Sequence, residues 1–285
     1  MSGIKRRIRS LVQSLGLVQP RPVRCVALIL VRNEVVHLRR LLPALIDQGI
    51  DVVVIDNDSS DGAHELYETY QGRGLLWHER LPFEGVFDLK AALLLKRDIA
   101  ARLEHDWIIS IDADEWMHSP RPGESLTEGL ARAQASGANV VNFEEFVFLP
   151  LEGDFSERTD YPQHLRHYYF FCPEPHRLMR AWRRDCHFSN AENAGHRIAH
   201  PRARVFEENF VLRHYITLSQ AHIVEKYVGR EFPEEALARG WHFNRVGLTE
   251  EMLAFPPDSS LKQLPRWDAR PLETDEPKKK HYWQW

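Results

Sequence analysis

WIISIDADEWM, residues 107–117, is the stretch on which the fold turns. Its first half, Trp107 to Ile111, is apolar enough to be buried, and its second half carries three carboxylates, Asp112, Asp114 and Glu115. Acidic groups at the end of a buried strand cost free energy unless a cation sits with them. An arginine, a calcium ion or a catalytic metal would each serve. In an extended chain residues i and i+2 point to the same side, so Asp112 and Asp114 face one ligand together if strand geometry persists past Ile111.

Working outward, CVALILV (25–31) and DVVVIDN (51–57) are two more continuous apolar runs of strand length, the pattern of buried parallel strands. Between them VVHLRRLLPALIDQG places Val35, Leu38, Leu41 and Leu45 at helical spacing before Gly49, with Pro43 predicting a kink or an early break. DSSDG offers Ser and Asp N-caps for a helix over 61–71, and GLLWHERL reads as a short strand. FDLKAALLLKRDIAARLEH follows as a helix with Ala92, Leu95, Ile99 and Leu103 on one stripe. Ser125 and Glu128 form a capping box ahead of another helix, and residues 138–150 read as a strand. Strand and helix alternate over 24–150, which predicts an α/β domain with a mostly parallel central sheet and helices on both faces. Beyond 150 the chain is rich in aromatic residues, His and Arg, and completes the same domain as one wall of its cleft. A strand in RVFEENFVLRHY precedes a helix in LSQAHIVEKYVGREF, with Ala221, Val224 and Val228 in line.

The bulk numbers narrow the classes. With 285 residues, 43% hydrophobic and 27% charged, the chain is a folded protein rather than a disordered one. A net charge of −4 gives no global case for nucleic acid. Cys25, Cys172 and Cys186 share no metal-ligand spacing and read as reduced thiols of a cytosolic protein. No stretch approaches the roughly 20 apolar residues of a membrane span. Residues 1–23 form a basic segment in which Ile4, Ile8, Leu11, Val12 and Leu15 fall at helical spacing. That pattern fits a frayed or docked tail, or a helix lying on the inner face of an anionic membrane. The domain proper is expected over 24–250, divided into 24–117 and 118–250, with 251–285 as a C-terminal extension.

In open α/β sheets ligands bind beyond the carboxyl ends of the strands. Three strands end in polar residues there: Arg32-Asn33-Glu34, Asp56-Asn57-Asp58 and Asp112-Ala113-Asp114. Two hard oxygen ligands suit Mg²⁺ or Mn²⁺ bridging the phosphates of a nucleotide. The bland alternatives are a solvated acidic end or an Arg-paired carboxylate, and a DxD triplet alone is weak. Haloacid-dehalogenase-type phosphatases also place DxD after a buried strand, but with Thr or Val two residues beyond, where this chain has Trp116.

VALILVRNE, VVVIDNDSSDG and WIISIDADEW, in this order, resemble the nucleotide-sugar-binding half of GT-A (Rossmann-like) glycosyltransferases. The family-2-like bacterial group with a DADE[FW] metal motif is the particular likeness. It is specific over 24–117, looser over 138–150, and resumes at LRHYITLSQAHIVEKYVGREF. The resemblance implies that Arg32, Asn33 and Glu34 line the nucleoside pocket with Asp56. Asn57 stands where relatives often carry an aspartate that reads the base, which leaves uridine, thymidine and guanosine open. Lys96 falls where relatives place a basic residue near base or diphosphate. Asp112 would contact ribose and the metal shell, Asp114 would bind the metal, and His214 would be a late metal ligand or diphosphate contact. Lys226 and Arg230 would neutralise the leaving diphosphate, and His196 would touch the donor phosphates.

The expected activity is therefore metal-dependent, inverting transfer of a sugar from a nucleotide-diphosphate sugar to a glycan, lipid-linked or small-molecule acceptor, with Mn²⁺ or Mg²⁺ as cofactor. Bacterial polysaccharide assembly is the setting the resemblance implies. Such chemistry needs a base for the acceptor hydroxyl. Strand alternation lets one of Glu144 and Glu145 face the cleft, and Glu145 is preferred, with Glu192 as competitor. The acceptor side would draw on Tyr168, Tyr169, Phe170, Phe171, Trp182 and Trp241, although large aromatics are mostly core. A nucleotidyltransferase would show a Gly-rich basic loop after the first strand, and VRNEVVHLRR has no glycine. A non-catalytic nucleotide- or glycan-binding scaffold is the other alternative.

Overall fold

The computed structural model describes residues 22–285, so the basic N-terminal segment and its membrane-helix reading lie outside the described residues. The strands are β1 (Cys25–Val31), β2 (Ile50–Asp56), β3 (Leu75–Arg80), β4 (Trp107–Asp112), β5 (Glu115–His118), β6 (Val140–Leu149), β7 (His167–Phe171), β8 (Leu178–Arg183), β9 (Phe210–His214) and β10 (Lys262–Gln263). The helices used below are α1 (Val35–Ile46), α2 (Ala63–Tyr70), α3 (Leu89–Arg102), α4 (Leu126–Ser136), α5 (Tyr161–His164), α6 (Gln220–Tyr227) and α7 (Glu234–Ala238). The sheet runs β10-β7-β6-β8-β4-β1-β2-β3, and β9 pairs with β5 and β6. The four strands β4-β1-β2-β3 are parallel, as their apolar runs predict. The other half is mixed, with β8 antiparallel to both β4 and β6, and β9 parallel to β6.

β1 is central, and its seven residues are all buried because both faces are covered. Cys25, Ala27, Ile29 and Val31 pack with Leu38, Leu41, Leu42 and Leu45 of α1. Val26, Leu28 and Leu30 pack on the other face with Ala92, Ile99 and Ala100 of α3. Burying such an aliphatic side chain contributes about 1.5–3 kcal/mol, so packing on both faces holds the end of β1 in place.

Several local expectations shift. α1 runs through Pro43 without breaking. Proline there removes the bond to the carbonyl of exposed Arg39, which water can satisfy, and Pro43 itself accepts from Asp47 N at 2.8 Å. α2 starts at Ala63 behind Gly62 (φ 88°) rather than at 61. Asp61 instead serves two helices, accepting from Ala63 N at 3.2 Å and from Val35 N at 2.7 Å. In α6 the buried residues are Ile223 and Tyr227, whereas Ala221 and Val228 are exposed. The face is set by the C-terminal segment, since Trp283 lies 5.6 Å from the Tyr227 ring, a partner no local pattern reveals.

Residues 251–285 are built into the domain. Lys278 N donates to Phe170 O and Cys172 N to Lys278 O. His281 stacks on Phe171 at 3.9 Å, and Leu253, Tyr282 and Trp283 join the core around β6 and β7. The aromatic run expected to meet the acceptor is likewise mostly core: Tyr168, Tyr169, Phe170 and Trp182 are buried. All three cysteines are free. Among the described residues no helix is long and apolar enough to cross a membrane.

Candidate active site

A cleft of about 1120 Å³ opens at the carboxyl ends of β1, β2 and β4. It brings together Arg32, Asn33, Glu34, Asn57, Lys96, Asp112, Asp114, Glu145, Glu192, His196, His214 and Lys226. Asp56 is not among its lining residues. That carboxylate is buried behind the strand end, accepting from Ser59 N and the Tyr67 hydroxyl, both at 2.6 Å.

The strand-end loops are braced to each other. Arg32 donates to the carbonyls of Asn57 and Asp58 and lies 3.4 Å above the Phe83 ring. Asn33 takes a left-handed conformation (φ 52°), which Asn tolerates, and its side-chain oxygen accepts from Ser60 N at 2.8 Å. The Asn57 amide donates to Leu81 O at 2.9 Å, so it holds the loop that carries Phe83.

The cations that the acidic strand end requires come from the protein. Strand geometry stops at Asp112, a turn carries Ala113 and Asp114, and β5 then leaves to pair with β9. The two aspartates therefore meet different partners. Asp112 faces Lys96 Nζ at 3.3 Å and Arg180 at 3.5 Å. Asp114 Oδ2 accepts from Lys226 Nζ at 2.7 Å and lies 3.3 Å from His214 Nε2. Lys226 also binds Glu34 at 2.6 Å. Glu115 accepts from Asp112 N at 3.0 Å and from Arg180 at 3.1 Å, tying the turn to β8. Glu145 is bound by Arg177 and lies 2.7 Å from His214 Nδ1. The hydroxyl of Ser110 and the carbonyl of Ile111 complete the shell of Lys96, which is buried inside α3 rather than solvated.

Charge states follow from these contacts. Burial alone would raise the Asp114 carboxyl, but Lys226 and His214 outweigh it and hold the group well below its ordinary range. Burial would lower His214, yet Asp114 and Glu145 raise it well above the usual value, so both ring nitrogens donate. Glu145 is raised by burial and pulled down further by Arg177 and His214, so it stays ionised. Burial pushes Glu34 up to about 7 against the pull of Lys226, and Glu115 up to about 7 against that of Arg180. His196 is lowered to about 3 by burial and by Arg177.

This donor set does not fit a resident divalent metal. Among the described residues no group of three His, Cys, Asp or Glu side chains is arranged to hold one. Asp112 and Asp114 each face two cationic groups, and His214, the third expected ligand, spends its two nitrogens on carboxylates. Two unit charges about 4 Å apart interact by about 4 kcal/mol at an effective dielectric of about 20, and a divalent ion beside the Lys226 ammonium would meet twice that.

Arg177, Arg180, Phe83 and Arg245 line the cleft and escape sequence reasoning. Arg180 had one signal: it is a charge inside the otherwise apolar run LMRAW, and such a residue in a buried strand must have a partner. Arg177 and Arg245 sit in irregular stretches with no period to read.

No protein-family model matches the chain, and no curated protein matches it. Among solved structures it is similar to the crystal structure of S. aureus TarS, at 13% identity and a TM-score of 0.42, covering 80% of this chain and 46% of that one. The chain thus spans about half the length of that protein. A crystal structure of S. aureus TarS 1-349 in complex with UDP-GlcNAc gives 13% identity and a TM-score of 0.42 over 81% of this chain and 78% of that one. Mannose-1-phosphate geranyltransferase from Thermus thermophilus gives 13% identity and a TM-score of 0.27 over 85% and 68%. These likenesses are distant.

Proposed function

We propose that the chain is a glycosyltransferase that takes a sugar from a nucleotide-diphosphate donor and attaches it to a hydroxyl of a glycan or lipid-linked acceptor. The observation that carries this reading is the convergence of the ends of β1, β2 and β4 on one cleft, with Arg32, Asn57 and Phe83 at one side and a dense set of cations at the other. A flat nucleobase suits the Arg32–Phe83 side, and a diphosphate suits the cationic side. Asp112, the more exposed of the two aspartates, is placed to meet ribose hydroxyls between them.

In the reaction the bond between the anomeric carbon and the diphosphate oxygen breaks, the electron pair leaving on the diphosphate. The acceptor oxygen bonds to that carbon, and its proton passes to a carboxylate. Glu145 is a poor recipient because Arg177 and His214 occupy it and hold it ionised. Its role is to position His214. Glu192 lines the same cleft with a side chain 73% exposed and one loose contact, Arg239 at 3.4 Å. The proton is assigned to Glu192. Inversion follows if Glu192 approaches from the side opposite the diphosphate.

Incubating the full chain with UDP-, GDP- and dTDP-sugars, with and without glycan acceptors, tests the proposal by release of nucleoside diphosphate. One donor is expected to turn over, and Glu192→Gln is expected to lower kcat about 100-fold with little change in donor KM, within the range of general-base effects. Binding of a donor with no release for any acceptor would support the scaffold reading instead.

A further inference from the structure

We infer that this cleft holds the donor diphosphate with protein cations alone, Lys226, Arg230 and Arg245, and works without a divalent metal. The inference rests on the nucleotide-diphosphate reading above and departs from the metal chemistry that the DxD resemblance implies. Two observations carry it.

The first is the occupation of the carboxylates. A metal needs oxygens with free lone pairs turned to one point. Here Asp112 is turned to Lys96 and Arg180, while Asp114 is turned to Lys226 and His214. The aspartates act as counter-ions that hold cations at the floor of the cleft.

The second is a pair of arginines with no counter-ion. Arg230 lies 4.3 Å from the centre of the Phe87 ring and Arg245 lies 5.1 Å from that of Tyr227. Both are half-buried cleft residues, and neither guanidinium forms an ion pair or side-chain hydrogen bond among the described residues. Other cleft arginines, Arg177, Arg180 and Arg197, each have a carboxylate. Guanidinium groups held on aromatic faces and left unpaired are suited to an incoming anion with several acceptor oxygens. Lys226 comes from the end of α6, Arg230 from the loop after it, and Arg245 from the turn beyond α7. A diphosphate bound there would collect three positive charges, and Lys226, with three N–H donors, would reach it while still paired to Asp114.

The test is calorimetric titration of the full chain with UDP, GDP, TDP and ADP, in EDTA and again with Mn²⁺. The expected result is that one nucleotide binds in EDTA with a Kd within about threefold of that in Mn²⁺. Arg230→Met and Arg245→Met should each weaken it about tenfold, and Arg245→Lys should retain part of the affinity, the size of a charge-assisted hydrogen bond. Asp114→Asn, which removes one counter-ion of Lys226, should tighten binding. Binding seen only with Mn²⁺ and lost in Asp114→Asn overturns the inference and leaves the proposed function standing. Failure of all four nucleotides to bind under either condition overturns both. The comparison with and without metal is made on the unaltered protein, so it decides even if a variant misfolds.

Discussion

Arg180 illustrates how much a single side chain carries in this molecule. It is 8% exposed and joins Glu115 and Asp112, two carboxylates of the turn after β4. Removing one member of a buried ion pair typically costs about 3–5 kcal/mol, because the remaining charge is left without a partner. Arg180→Met is therefore expected to lower the melting temperature by on the order of 10 °C, and adding Glu115→Gln should restore part of the loss. A thermal melt of the single and double variants checks this, and equal melting temperatures for Arg180→Met and the unaltered protein would contradict it. Glu145 makes a pH prediction. Its folded value lies below the ordinary 4.5, so as pH falls past 4.5 the unfolded chain takes up the proton first and stability drops. Asp114 contributes in the same direction below 3.8. His214 has the opposite sign: its raised value adds stability that is complete below 6.5 and is lost as pH rises through the folded value. Melting temperatures between pH 5 and pH 3 should fall less steeply in Glu145→Gln than in the unaltered protein, whatever the offset between the two.

Among the elements, α4 makes the clearest prediction from packing. Helix propensity favours Gly129→Ala by about 1 kcal/mol. Yet a β-carbon there would stand 2.8 Å from Phe210 Cζ of β9 and 3.2 Å from Ser119 Cβ. Overpacking costs about 1–3 kcal/mol, so the substitution is expected to destabilise, and Phe210→Leu in the same chain should relieve it; urea unfolding of both reads the sign. The same helix was legible from sequence, because its signals are local. Ser125 Oγ accepts from Glu128 N at 3.2 Å, and Glu128 accepts from Ser125 N at 2.8 Å, as the capping box predicts. β1, β2 and β4 were legible because burial on both faces leaves continuous apolar runs. What pairs across long separations was not. β4 meets β8 through Trp107 and Arg183, and nothing near Asp112 announces Arg180. Asp56 looks like a site residue until Tyr67, eleven residues on, is seen to claim it. Of the stripe read in α6 only Val224 packs inward, for the same reason, the helix's partner being the C-terminal segment.

At the scale of the whole molecule, that C-terminal segment closes the second half of the sheet. Tyr282 and Trp283 are each 5% exposed, the Tyr282 hydroxyl donates to Leu253 O at 3.0 Å, and His281 stands in the cleft wall. Losing large buried aromatics costs about 3–5 kcal/mol each, so a chain ending at residue 280 is expected to unfold at clearly lower urea, and an unchanged midpoint would show the segment to be dispensable. The parallel half fixes the strand ends and brings Lys96 from α3, β8 and α6 add Arg180 and Lys226, and the C-terminal segment packs on the mixed half. Hydrogen–deuterium exchange of the full chain with UDP, GDP, TDP or ADP tests the central claim, that these parts form one nucleotide-diphosphate site, most directly. One nucleotide should slow exchange together in 31–34, 57–59, 83–87, 112–115 and 226–231. No protection with any of the four, or protection confined to segments that do not line this cleft, would contradict it.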